Sequence, residues 1–131
     1  MLGNILASQA WPERTGNVDA LLQRAAAHGT AELLASVLSR SAADLAPGLR
    51  PRANDRLREA GIADVLRRQE LQRLVEAFDR AGIRMLLLKG AGLAYTLYAE
   101  SHLRMSDDMD LFIDRSDLAA AEAALETCGY G

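Results

Sequence analysis

One cysteine, Cys128, in 131 residues excludes an intramolecular disulfide framework and a cysteine-rich zinc site. Such thiol usage is that of a reducing compartment, so a cytoplasmic chain is expected. Aromatic residues make up only 5% of the sequence. The core must therefore be aliphatic, and the abundance of Ala, Leu and Arg favours helix. Basic charge is not in excess: the formal net charge is −3. That argues against general nucleic-acid binding, which rests on phosphate neutralisation by surplus Lys and Arg. No apolar run reaches the roughly 18 residues needed to span a bilayer, and Met1 to Ala10 has no basic leader region. No membrane partner is expected.

What is present fits one domain with a real hydrophobic core. Met1 to Gly16 allows only a short opening helix, because Pro12 ends it or starts a turn. From Asn17 the positions Val18, Leu21, Leu22 and Ala25 follow helical spacing, and Gly29 can close that helix. Thr30 can cap the next, with a face of Leu33, Leu34, Val37 and Leu38 ending near Ser41. Asp44 to Pro51 reads as a loop. Beyond Asn54 runs the longest periodic stretch, with Leu57, Val65, Leu66, Leu71, Leu74, Val75 and Phe78 on its apolar face and Gly82 at its end. Gly61 weakens that helix locally, and Arg67, Arg68 and Arg73 read as its solvated side.

The pattern changes after Gly82. Met85 to Leu88 is a short continuous apolar run, as a buried strand would be. Gly90-Ala91-Gly92 turns the chain into a short helix, Leu93 to Tyr98. A polar connection through Glu100, Ser101 and His102 leads to a second strand, Met109 to Ile113. A last helix starts near Ser116-Asp117, carries Leu118, Ala121, Leu125 and Cys128 on one face, and closes at Gly129. The expected class is α/β in the helix-rich α+β sense, with a helical part over 1–82 and a small sheet-bearing core over 83–131 in one compact unit.

The chemistry sits in this second part. Asp108 and Asp110, spaced i, i+2 on an extended segment, point to one face. Alone, such a pair is an ordinary solvated start to a strand. Joined to a glycine turn that opens a helix, it has a specific use. The unpaired N–H groups of the turn can hold a phosphate. Carboxylates on the neighbouring strand can hold Mg²⁺, which is bound by one or two carboxylates plus phosphate oxygens.

The string Leu-Leu-Lys-Gly-Ala-Gly-Leu-Ala-Tyr-Thr-Leu-Tyr, followed by Leu-Arg-Met-Ser-Asp-Asp-Met-Asp-Leu-Phe-Ile, resembles the uncharacterised nucleotidyltransferase family of the DNA polymerase beta superfamily. The resemblance covers roughly the C-terminal half, from the helix ending in Ala81-Gly82-Ile83 to Gly129-Tyr130. It implies a partial polymerase-beta-like core and transfer of a nucleoside monophosphate from a nucleoside triphosphate to a hydroxyl. It implies Asp108 and Asp110 as catalytic, metal-binding residues for Mg²⁺ or Mn²⁺, and Gly90 with Ala91 as the phosphate turn. Lys89 and Arg104 match the family pattern, with phosphate contact or fixing of the Asp strand as their implied roles. The superfamily usually has Gly-Ser or Gly-Gly at the turn, and a small residue where Asp107 stands.

The resemblance also implies a third carboxylate from a later strand, which is not found before Gly131. The expectation is therefore a piece of a longer enzyme, or a truncated form that cannot catalyse alone. A non-catalytic helical interaction or nucleotide-sensing module is the alternative. The acceptor hydroxyl, on protein, small molecule or RNA, is not specified by these residues. A two-stranded sheet is marginal by itself, so pairing with another copy through a strand edge is a further expectation.

Overall fold

The computed structural model describes residues 18–42, 45 and 47–131. The short opening helix expected before Gly16 lies outside them. Among the described residues three helices come first: α1 (Val18–Ala27), α2 (Ala31–Arg40) and α3 (Leu49–Arg80). Strand β1 (Met85–Leu88), helix α4 (Lys89–Thr96), strand β2 (Asp110–Ile113) and helix α5 (Leu118–Thr127) follow. Short 3₁₀ turns at Ser101–Leu103 and Arg115–Asp117 precede β2 and α5. The architecture is helix-rich α+β, with a single two-stranded antiparallel sheet among the described residues.

The 32-residue α3 is the spine. It starts earlier than the Pro47-Gly48 and Pro51 signals suggest, because Pro51 occupies the first turn, where its missing N–H has no intrahelical partner to lose. Gly61 runs through it without a break. Its inward stripe is Ala53, Leu57, Ala60, Asp64, Arg67, Leu71, Leu74 and Phe78, alternating by four and three residues. Val65 and Leu66, expected on that face, are 54% and 62% exposed, and Val75 is also exposed. A 3.5-residue repeat passes them by.

Two apolar clusters sit on this spine. Near its start, Ala35 and Leu38 of α2 pack on Leu49 and Ala53, with Leu34, Leu45 and Leu57 around them. The innermost face of α2 is thus Ala31, Ala35 and Leu38, while Leu33, Leu34 and Val37 are only half-buried. Small residues let the two helices approach closely. Thr30 takes the N-cap position of α2 but makes no side-chain cap bond; its hydroxyl donates back to the Ala25 carbonyl of α1 at 3.2 Å. Near the other end, Ala77, Phe78 and Ile83 pack with Ala121 and Ala124 of α5, flanked by Met85, Leu111, Ile113, Leu125 and Cys128. Leu118, expected on the buried face of α5, is exposed.

The strands pair Met85 with Ile113, Leu86 with Phe112, Leu87 with Leu111 and Leu88 with Asp110. Directly opposed residues share a face and side chains alternate along each strand. Met85, Leu87, Leu111 and Ile113 therefore form the inner face. Leu86, Leu88, Asp110 and Phe112 form the other, where Leu86 and Phe112 are 62% and 60% exposed. The buried strand expected at Met85 to Leu88 is thus a half-buried one, because α3 and α5 cover only one side of the sheet.

Candidate functional site

The turn from β1 into α4 is tighter than expected. No separate glycine turn precedes the helix: Lys89, Gly90, Ala91 and Gly92 are themselves its first turn. Lys89 reaches this position with φ 48°, the only non-glycine residue with positive φ among those described, in a region disfavoured for a side-chain-bearing residue. Two close approaches explain the glycines. A Cβ on Gly92 would lie 2.5 Å from the Leu87 carbonyl oxygen, so only glycine lets α4 fold back on β1. A Cβ on Gly90 would lie 2.6 Å from Ser106 Oγ, so only glycine lets the helix start touch the loop before β2. Ala91 is buried. The residue before the helix, Leu88, offers no side-chain hydrogen bond to its N–H groups. Backbone N–H groups of a first helical turn stand at the positive end of the helix dipole.

The acidic pair meets this turn from the other strand. Strand β2 begins at Asp110 and leaves Met109 outside, so Asp108 belongs to the preceding loop and not to the strand. Ser106 fixes it there, donating to Asp108 Oδ1 at 2.9 Å and to its carbonyl at 3.1 Å. Asp110 opposes Leu88 and carries an ion pair from Lys89 Nζ at 3.1 Å. The Lys89 side chain is 76% exposed, and Asp107 is exposed beside it. Lys89, Gly90, Ala91, Asp108 and Asp110 are thus brought together at one end of the open sheet face.

Arg104 is placed differently. Its Nη1 lies 3.1 Å from where a Cβ on Gly29 would stand, against the turn between α1 and α2. It makes no ion pair with Asp107 or Asp108, the partners a structural reading of the sequence would give it. An open cleft of about 1040 Å³ lies toward the opposite end of the strands, lined by Val75, Arg84, Leu86, Phe112 and Asp114 among others. None of the acidic-pair or helix-turn residues lines it, so its size carries no weight against the chemistry at the other end.

Two groups of functional interest escape a reading of periodicity. Ser106 is invisible as a ligand-holder until the loop is folded. Asp64 and Arg67 fill two positions of the inward stripe of α3, where the side chains are only 6% and 11% exposed. Arg67, expected on a solvated face, is largely enclosed. The signal that could have found them is the 3.5-residue repeat, which puts both charges in line with Leu57, Ala60, Leu71 and Leu74.

The two carboxylates are hard oxygen donors beside an uncapped helix start, a set that fits Mg²⁺ held partly by phosphate oxygens. Among the described residues no group of three or more Asp, Glu, His or Cys side chains could hold a metal, and no helix is long and apolar enough to cross a membrane. No curated protein and no solved structure matches the chain. A family model described as an uncharacterised nucleotidyltransferase matches residues 15–131, taking in all three leading helices as well as the sheet and the acidic pair. The chain belongs to that nucleotidyltransferase family.

Proposed function

We propose that this chain is a polymerase-beta-type nucleotidyltransferase unit that binds a nucleoside triphosphate with Mg²⁺ or Mn²⁺ and directs the nucleoside monophosphate to a hydroxyl acceptor, pyrophosphate leaving. Asp108 and Asp110 hold the cation. The N–H groups of Lys89, Gly90 and Ala91 hold a phosphate, and the Lys89 ammonium moves from Asp110 to a phosphate oxygen. Arg104 fixes the acidic loop from behind, against the Gly29 turn. A divalent ion bound there supplies neutralisation of the triphosphate charge. The observation that carries the reading is the contact of Gly90 with Ser106, the residue that holds Asp108. Through Ser106, it sets the first turn of α4 beside the loop that carries Asp108.

Calorimetric titration of a nucleoside triphosphate with and without Mg²⁺ tests it. Replacing Asp108 and Asp110 together by Ala should abolish the Mg²⁺-dependent part of the binding. Unchanged binding sinks the assignment. An assay of labelled-nucleotide transfer separates this reading from nucleotide sensing without transfer. Binding with no transfer of labelled nucleotide to any protein, small-molecule or RNA hydroxyl would select the latter.

A further inference from the structure

Midway along α3, between the two apolar clusters, the inward stripe turns polar. Asp64 Oδ2 accepts from Arg68 Nε at 2.9 Å and from Ser101 Oγ at 2.7 Å. The Ser101 hydroxyl in turn accepts from Arg68 Nη2. Arg67 reaches past Asp64 and donates from Nη2 to Met105 Sδ at 3.4 Å. Ser101 and Met105 bound the segment that leads directly to Ser106 and Asp108. Tyr95 of α4 closes the group from the third side, its ring 5.6 Å from the Arg68 guanidinium carbon. Three buried atoms in this cluster meet no protein partner: Asp64 Oδ1, Arg67 Nη1 and the Tyr95 hydroxyl. The first two are 4.0 Å apart, a separation that one water can bridge with ordinary bonds of about 2.8 Å to each.

A half-satisfied ion pair in a helix core is a poor source of stability, and apolar replacements of such pairs are often neutral or stabilising. Its place in the molecule offers a different role. One end of the cluster holds the loop that carries Asp108, and the other touches the helix whose first turn faces that aspartate. We propose that Asp64 and Arg67, with one enclosed water shared with Tyr95, are positioning residues that hold the 101–108 segment in register with α4. The inference deepens the nucleotidyltransferase reading, but its first test does not depend on it.

That test is amide hydrogen exchange on the full chain and on the double variant Asp64→Leu/Arg67→Met, whose core remains filled by apolar groups. Loss of the hydrogen bonds to charged partners should speed exchange across 101–108 by about ten- to a hundredfold, with α2 and the ends of α3 unchanged. Unchanged exchange in that segment, or a rise shared equally by all helices, overturns the proposal. Ser101→Ala, a milder change, should speed exchange in the same segment alone, and failure to do so also counts against it. Tyr95→Phe tests the water: a lower urea midpoint supports a bonded hydroxyl, whereas an equal or higher midpoint removes the water from the proposal. Mn²⁺ titration then separates the two claims. Weaker Mn²⁺ binding by the double variant ties positioning to the site. A wild-type chain that binds no Mn²⁺ refutes the metal reading and leaves the exchange result to decide the positioning role.

Discussion

Alanine at Gly92 should destabilise the protein, and alanine at Gly61 should stabilise it, although both glycines lie inside helices. In a helix interior the change from Gly to Ala gains about 0.8–1.0 kcal/mol when nothing obstructs the methyl group. Gly61 has nothing within 4 Å of the new carbon, so the full gain is expected there. At Gly92 the new carbon falls 2.5 Å from the Leu87 carbonyl oxygen. That oxygen belongs to β1 and cannot rotate away like a side chain. Restoring an ordinary contact of about 3.5 Å requires the strand and helix to part by roughly 1 Å. Overpacking of this kind costs about 1–3 kcal/mol, occasionally more. The same helix-propensity gain offsets part of it, leaving a net loss of up to about 2 kcal/mol and a gap between the variants of about 1–3 kcal/mol.

Urea unfolding followed by far-ultraviolet circular dichroism measures this directly. With a slope of about 1–3 kcal/mol per molar urea, the Gly92→Ala midpoint should fall by up to roughly 1 M, at unchanged slope, while the Gly61→Ala midpoint rises. A Gly92→Ala midpoint that rises as far as that of Gly61→Ala would show that α4 does not pack on β1 as described. The functional corollary is that α4 moves as a unit. Its first turn shifts away from Asp108, so triphosphate binding should weaken even where most molecules stay folded.

Gly90→Ala should act on both site and fold, because the new carbon meets Ser106 Oγ, which can turn aside but then leaves Asp108, and also Ser106 Cβ at 2.9 Å, which moves only with the loop backbone. A loss of tenfold or more in triphosphate affinity is expected, with a stability loss of about 1–3 kcal/mol less the helix-propensity gain. Lys89→Gly should be more stable than Lys89→Ala by about 1 kcal/mol, since only the latter keeps a Cβ at positive φ; equal midpoints would refute strain at that residue. The Tyr130 hydroxyl donates to Glu70 at 2.7 Å and, with Arg73, holds that carboxyl below its ordinary 4.5. A depressed carboxylate pKa stabilises the fold above the unfolded-state value, and this contribution is lost as pH falls through the folded value. The same bond raises Tyr130 above 10.0, so its stabilising effect holds at neutral pH and fades as pH rises through the raised value. Tyr130→Phe should remove the tyrosine dependence and reduce that of Glu70, which keeps Arg73, as read by unfolding midpoints across pH. Pairing of copies through the outer strand edges should appear as a dimer in light scattering; a strict monomer removes that expectation.

Element order was legible in the sequence because its signals are local. Glycine closures at Gly29, Gly82 and Gly129 all have positive φ, and each follows a helix as its spacing suggests. The faces were less legible, for tertiary reasons. On α2 Ala31 and Ala35 lie as deep as Leu38, while Leu33, Leu34 and Val37 are only half-buried, because close helix packing rewards small residues. On α3 the apolar residues Val65 and Leu66 stand outside, while Asp64 and Arg67 stand inside. Hydrophobicity alone cannot rank a charged residue as buried when its partners, Ser101 and Met105, are more than thirty residues away. The glycine turn and the acidic pair were legible as residue types. Their mutual placement was not, since it depends on Ser106, a loop residue with no periodic signature.

Lys89 stands where the helix start and the acidic strand meet. A non-glycine residue in the left-handed region costs about 1–2 kcal/mol, and an ion pair whose lysine is largely exposed returns about 0–1 kcal/mol. The bond to Asp110 therefore does not by itself offset the conformation that makes it. The conformation is imposed from both sides: Gly92 seats α4 on Leu87, Gly90 seats it on Ser106, and the backbone at Lys89 has to join that helix to β1 within one residue. Glycine at position 89 would relieve the strain at no cost to the turn. Keeping lysine there instead places a movable cation between the helix start and Asp110, where a triphosphate would arrive. Strain held at such a point is a reason to look for function, not evidence of it. The comparison of Lys89→Gly with wild type in stability and in triphosphate binding decides whether the ammonium is kept for the fold or for the ligand. A variant that gains stability and loses affinity answers for the ligand.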